Sequence, residues 1–203
     1  MKFEQYSTRE GKEVRIPVPT SYGDCIKLLQ SDYFRMYGRT DNLLRIWLKS
    51  YRNRPLKYLF WMRLSAYKGA FYRLCKFWHD HYKIKYDCRI HSDSRIGYGL
   101  YIGHALSMCV NARCVIGNNV NLSHLINIGS NHNKQAIISD NVYIGPMSCL
   151  IEDVHVGHNS VIGAGSVVTK DIPSDSTAVG NPCRVIGPNR HAEYIHNRWK
   201  IDV

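Results

Sequence analysis

From Ile90 onward an aliphatic residue recurs every six positions: Ile90, Ile96, Ile102, then Val110, Ile116, Leu122, Ile128, then Ile138, Ile144, Leu150, Val156, Ile162 and Val168. Seven of these thirteen are followed directly by glycine, at 97, 103, 117, 129, 145, 157 and 163, which no chance alternation produces. A six-residue unit is too short to hold a helix and fits one strand with one tight corner. Three units close a triangular coil of about 18 residues, and coils stack at the roughly 4.8 Å spacing of a parallel sheet. The expected architecture is mainly β, a parallel solenoid with the repeating aliphatic pointing inward.

The spacing breaks twice. Ile102 to Val110 is eight residues and Ile128 to Ile138 is ten, and each interruption carries a histidine, His104 and His132. Interruptions of a solenoid become loops, and loops held by a rigid scaffold are where such proteins place chemistry. In the same register, His104 lies two residues after Ile102, His124 two after Leu122, Pro146 two after Ile144 and Ala164 two after Ile162. The column predicts two stacked imidazoles followed by residues without bulk, a groove suited to a long thin ligand arm.

Residues 21–86 follow a helical period, as in Leu43, Leu44, Trp47, Leu48 and Tyr51, with Pro55 where one helix stops and the next starts. Two to four helices are expected. Charge divides at the same place: residues 1–86 hold 18 Lys and Arg against 7 Asp and Glu, whereas residues 87–203 hold nine of each. Between Asp41 and Trp78 the cations alternate with Trp, Tyr and Phe, a pattern that fits a helix on an anionic membrane surface or a grip on a polyanion. It equally fits a small helical core with a solvated basic face. The chain thus divides into a basic helical domain (1–86), a repeat domain (87–188) and a C-terminal tail (189–203).

No stretch reaches the roughly 18 apolar residues of a membrane span, and the first residues hold no apolar signal core, so a cytoplasmic protein is expected. Seven cysteines without a C-x-x-C pair read as buried thiols, not as a disulfide framework or zinc knuckle.

The runs of I-G-x-x-x-x, closing in VIGAGSVVTKDIPSDSTAVGNPCRVIG, resemble the hexapeptide-repeat acyltransferases. The segment HALSMCVNARCVIGNNVNLSHLINIGS, beginning at His104, is similar to serine acetyltransferases and to sugar O-acetyltransferases of surface-polysaccharide synthesis. The resemblance covers residues 87–188 and implies a left-handed parallel β-helix and a homotrimer, with the pantetheine arm of acetyl-CoA lying between neighbouring subunits. His104 matches the family's catalytic base. A free alcohol is a poor nucleophile, and an imidazole within hydrogen-bond reach takes its proton as it attacks the thioester. His132 or His124 would help stabilise the oxyanion. His91 matches a supporting position. Gly145, Pro146, Ala164 and Gly165 would line the cofactor groove, and Lys170 and Arg184 stand where relatives hold the phosphates and adenine of CoA. γ-Class carbonic anhydrases build a zinc site on this fold from a pair of histidines five residues apart plus a third. The repeat region has no such pair, so no metal is expected.

The departures narrow the acceptor. Serine enzymes precede the base with an Asp, which here is Gly103, and their Arg-His pair falls on Lys134 and Gln135. The carboxylate that orients the family's base falls on Arg89, leaving Asp87 or Asp93 to substitute. A serine ammonium would lack its partner, which is costly when buried. The basic aromatic lead-in resembles that of capsule and exopolysaccharide acetyltransferases. The expected function is acetyl-CoA-dependent O-acetylation of a sugar or acidic glycan hydroxyl, with peripheral membrane contact and no nucleic acid partner. A serine O-acetyltransferase and a non-catalytic β-helix scaffold are the alternatives.

Overall fold

The computed structural model describes residues 1–131 and 135–200. The chain opens with an antiparallel hairpin, β1 (Lys2–Ser7) and β2 (Glu13–Val18). Alternation in EVRIPV turns Val14 and Ile16 into the protein, where they pack on Val115 and Ile137 of the repeat. The helical period had no bearing on this segment, and residues 1–86 are therefore not wholly helical.

Four helices follow. α1 (Tyr22–Tyr37) starts at Ser21, whose hydroxyl accepts from the Asp24 N–H, and stops at Gly38 in the left-handed conformation. α2 (Leu43–Ser50) and α3 (Arg54–Leu64) are capped by Asn42 and Asn53, with Pro55 in the first turn of α3. α4 (Tyr72–Lys85) leads into the solenoid.

The solenoid strands are β3 (Cys88–Ile90), β4 (Arg95–Ile96), β5 (Tyr101–Ile102), β6 (Met108–Val110), β7 (Val115–Ile116), β8 (Asn121–Leu122), β9 (Asn127–Gly129) and β10 (Ile137–Ile138). They continue with β11 (Tyr143–Ile144), β12 (Cys149–Ile151), β13 (His155–Val156), β14 (Val161–Ile162), β15 (Val167–Val168) and β16 (Ser176–Val179). They form three parallel stacks, β3-β6-β9-β12-β15, β4-β7-β10-β13 and β5-β8-β11-β14-β16. All thirteen repeat aliphatics are buried, none more than 5% exposed. Four of the glycines that follow them, Gly97, Gly117, Gly145 and Gly157, are a packing requirement. A Cβ on Gly117 would lie 2.6 Å from the backbone of Ser139 in the next coil, and one on Gly157 would lie 2.3 Å from that of Ser174. One corner column runs through Asn119, Asn141, Asn159 and Asp175, all at positive φ. Short polar side chains tolerate that conformation, and here they also stack: Asn141 donates to Asn159 at 3.0 Å and Asn159 to Asp175 at 2.9 Å.

Beyond β16 the chain turns through Gly180–Cys183 and folds back as β17 (Arg184–Pro188), antiparallel to β16. The tail makes one 3-10 turn, Ala192–Tyr194, and lies on its own chain: Arg35 donates to the His196 carbonyl, and Asn119 exchanges two hydrogen bonds with the Trp199 backbone. Of the seven thiols five are buried, whereas Cys149 is half-buried and Cys109 exposed, which corrects the expectation of uniformly buried cysteines.

The change of period near residue 86 separates helices from coils but not their cores. Helices and coils share one apolar core, and buried charge is satisfied across their junction. The Asp32 carboxylate accepts from Arg63 Nε at 2.7 Å, Arg63 Nη2 at 2.9 Å and the Leu100 N–H at 2.8 Å. Arg63 also donates to the carbonyls of Ile96 and Gly97, and Arg35 to that of Gly99 and to Asn121. Each group is buried with its partners complete, the condition under which interior charge is tolerated. The helices are thereby locked in register with the first coil.

Candidate active site

Pairing of Ile102 with Leu122, Leu122 with Ile144 and Ile144 with Ile162 sets the column read from the sequence. Two residues beyond each stand His104, His124, Pro146 and Ala164. Backbone bonds tie the rungs: the Leu125 N–H donates to Leu106, Met147 to His124 and Gly165 to Pro146. The His104 and His124 rings meet at 84°, centroids 5.3 Å apart. The two extra residues after Ile102 form the turn that presents His104, closed by a Leu106 N–H to His104 carbonyl bond of 2.7 Å and by Ser107 at φ 46°. His104 is exposed and His124 half-buried.

Both imidazoles open into a cavity of about 370 Å³, whose other walls are Leu106, Arg54 and Pro55. Arg54 and Pro55 come from the first turn of α3, and the sequence reading missed them. Asn53 and Pro55 do signal a helix start, but which coil that start docks on is decided by the buried Arg63–Asp32 junction further along. The Arg54 guanidinium also lies 5.1 Å over the Tyr86 ring. Along the column the surface stays low: Gly145 is pressed against the backbone of Ala164, and a Cβ on Gly165 would meet nothing within 4 Å.

The remaining predicted residues lie apart from this cavity or outside the described chain. Asp87 pairs with Arg89 at 3.2 Å, beside a separate depression bounded by Met108 and Cys109. His91 accepts from the Asp93 N–H at 3.2 Å. His132 and Lys134 fall outside the described residues. Lys170 is exposed at the end of the last coil. The Val167 backbone bonds to Gly180 and Cys183, so the turn before Arg184 is held on that same coil. The Arg184 guanidinium is exposed and donates to the Cys183 carbonyl. Among the described residues no group of three or more His, Cys, Asp or Glu is gathered to hold a metal.

The chain is thus a parallel solenoid of six-residue units, with histidines at one end of a low groove. The bacterial transferase hexapeptide model (six repeats) matches residues 135–170. The chain is 38% identical over 101 residues to serine acetyltransferase 3, mitochondrial, of Arabidopsis thaliana, covering 48% of this chain and 26% of that protein. It is 34% identical over 124 residues to the galactoside O-acetyltransferase of Lactococcus lactis, covering 53% and 59%. Among solved structures, the Neisseria gonorrhoeae serine acetyltransferase in complex with serine superposes with a TM-score of 0.66 at 26% identity, over 80% of this chain and 69% of that one. The chain spans from 26% to 59% of the length of these two curated relatives.

Proposed function

We propose that the chain is an acetyl-CoA-dependent O-acetyltransferase acting on a sugar hydroxyl in capsule, exopolysaccharide or O-antigen synthesis, with His104 as general base. The observation that carries the choice of acceptor is the lining of the histidine cavity. Among the described residues its one fixed charge is the cation of Arg54, and Gly103 stands where the resemblance to serine enzymes places an aspartate. Among the described residues an amino acid ammonium finds no carboxylate there, whereas an acidic sugar pairs with Arg54 and a neutral sugar brings no charge to bury.

In this reading His104 removes the proton of the acceptor hydroxyl as its oxygen attacks the thioester carbonyl. The tetrahedral intermediate collapses, the carbon–sulfur bond breaks, and the imidazolium returns its proton to the departing thiolate. His124, edge to face with His104, orients the base and faces the developing oxyanion. The acetyl-CoA arm follows the column past Pro146 and Ala164 along Gly145 and Gly165. Lys170 and Arg184 meet its phosphates at the far coil. Three coil steps from His104 to Ala164, at roughly 4.8 Å each, give this groove a rise of about 14 Å. A neighbouring subunit of a trimer would form its other wall.

The similarity to serine acetyltransferases favours a second reading, in which serine is the acceptor. Thiol release from acetyl-CoA, followed with L-serine and with a panel of neutral and acidic sugars, separates the two. Release that depends on a sugar and not on serine supports the proposal; serine-dependent release overturns it. Silence with every acceptor, together with no CoA binding, leaves a non-catalytic scaffold.

A further inference from the structure

The helical part carries a second surface that the catalytic reading leaves unused. α2 and α4 flank α3, and between them opens a groove of about 710 Å³ walled by Ile26, Leu43, Trp47, Phe60, Trp61 and Leu74, which turn only apolar surface toward it. Each wall ends in a stripe of large side chains in solvent. Leu44, Leu48 and Tyr51 follow one another along α2 and its cap at 64%, 54% and 60% exposure; Leu74, Phe77 and Ile84 follow along α4 at 54%, 63% and 84%. Spacings of three, four and seven keep each set on one helix face. A continuous apolar patch of this kind marks a contact surface.

The charge around the patch identifies the contact. From Leu43 to Lys85 the sequence holds eleven Lys and Arg and a single carboxylate, Asp80, which Lys76 and Lys83 already pair. Arg45, which pairs with Asp41 at 3.5 Å, and Arg52 stand exposed beside the α2 stripe, and Arg73 and Lys85 beside that of α4. Apolar anchors ringed by cations match the boundary between anionic headgroups and acyl chains. A second copy of the same face would set cation against cation, and a nucleic acid would leave Leu44, Leu48, Leu74 and Ile84 in water. Among the described residues no helix is long and apolar enough to cross a membrane, so the contact is peripheral.

Both stripes run toward the histidine cavity. Tyr51 lies 4.2 Å from the Lys57 ammonium, which also stands 5.9 Å from Tyr82, and Arg54 lies over Tyr86. The C-terminal ends of α2 and α4 therefore converge on the start of α3, where the cavity opens. We infer that the α2–α4 face seats on an anionic lipid surface, with Leu44, Leu48, Leu74, Phe77 and Ile84 at the headgroup boundary and the cavity of His104 held beside it. The inference rests on the apolar groove and its cationic rim, and it holds whichever acceptor is acetylated.

The test is flotation of the full chain with phosphatidylcholine vesicles and with vesicles of about one-third phosphatidylserine. The expected result is recovery with the anionic vesicles alone. Leu48→Glu combined with Phe77→Glu, both at solvent-exposed positions, should lower the partition constant at least about tenfold. Arg45→Gln, Arg73→Gln and Lys85→Gln should each lower it about fivefold. No recovery with anionic vesicles, or recovery that the Glu variants leave unchanged, overturns the inference. So does a finding by sedimentation that the Glu variants dissociate an oligomer while wild type ignores vesicles, since that makes the face an interface between copies.

Discussion

The imidazoles of His104 and His124, carried on successive coils, meet edge to face with ring centroids 5.3 Å apart in a single cavity. Two rings this close act as one unit, so their losses are not additive. His104→Ala should lower turnover at least about a hundredfold, the scale of a general base, with CoA affinity unchanged. His124→Ala should cost about tenfold, and the double variant little more than His104→Ala alone. Steady-state thiol release with parallel CoA titrations checks this, and more than about a tenth of wild-type turnover in His104→Ala would remove His104 from the role of base.

The repeat glycines divide by what lies above them. A Cβ on Gly117 would strike the Ser139 backbone at 2.6 Å, whereas one on Gly103 would have its nearest neighbour at 3.9 Å. Gly117→Ala should therefore destabilise by about 1–3 kcal/mol, and Gly103→Ala by less than about 0.5. Urea unfolding measures both. The room at Gly103 has a consequence for the acceptor: Gly103→Asp should fold and raise serine-dependent thiol release above that of wild type, by supplying the carboxylate an ammonium needs.

The coils were legible because burial of one aliphatic per strand repeats at a fixed short period, and the His104 and His124 column follows from counting alone. Arg54 was not legible. It reaches the cavity only because Arg63, on the same helix, is fixed by Asp32 and by carbonyls of the first coil, a pairing between distant segments that no local period encodes. The hairpin escaped for a similar reason: Val14 and Ile16 look like any short alternation until Val115 and Ile137 are known to lie beneath them. Asp87, offered by its closeness in sequence as a substitute for the carboxylate that orients the base, pairs with Arg89.

A second element of the helix–solenoid junction is sensitive to acid. The Tyr58 hydroxyl donates to the Ile90 carbonyl and accepts from the Ile90 N–H, and it lies 3.2 Å from His79 Nε2. Burial pulls the His79 imidazole down to about 3, from an ordinary 6.5. The unfolded chain takes up this proton first. Stability from His79 is therefore fully present above pH 6.5 and is lost as pH falls toward about 3, at up to about 1.4 kcal/mol per pH unit. Urea midpoints of wild type and His79→Phe should converge as pH drops through this window. Parallel curves would show that His79 takes up its proton without strain.

Under the proposed function, Arg54 sets what the cavity accepts. It is the one charged side chain of permanent sign in a wall otherwise made of Pro55, Leu106 and two imidazoles, and it stays exposed above Tyr86 without a carboxylate partner among the described residues. A guanidinium so placed offers two parallel donors to a carboxylate on an incoming sugar, and such charge-assisted pairs discriminate by geometry as well as by charge. Arg54→Gln keeps the helix start at Asn53 and Pro55 and removes only the charge. KM for an acidic sugar should rise about tenfold with kcat nearly unchanged, the pattern of lost ground-state binding, while constants for a neutral sugar stay within about twofold. Lys should restore part of the loss, since it keeps the charge but not the fork. Equal losses for neutral and acidic acceptors would instead make Arg54 a structural support of the α3 start, and the acidic branch of the acceptor proposal would fall with it.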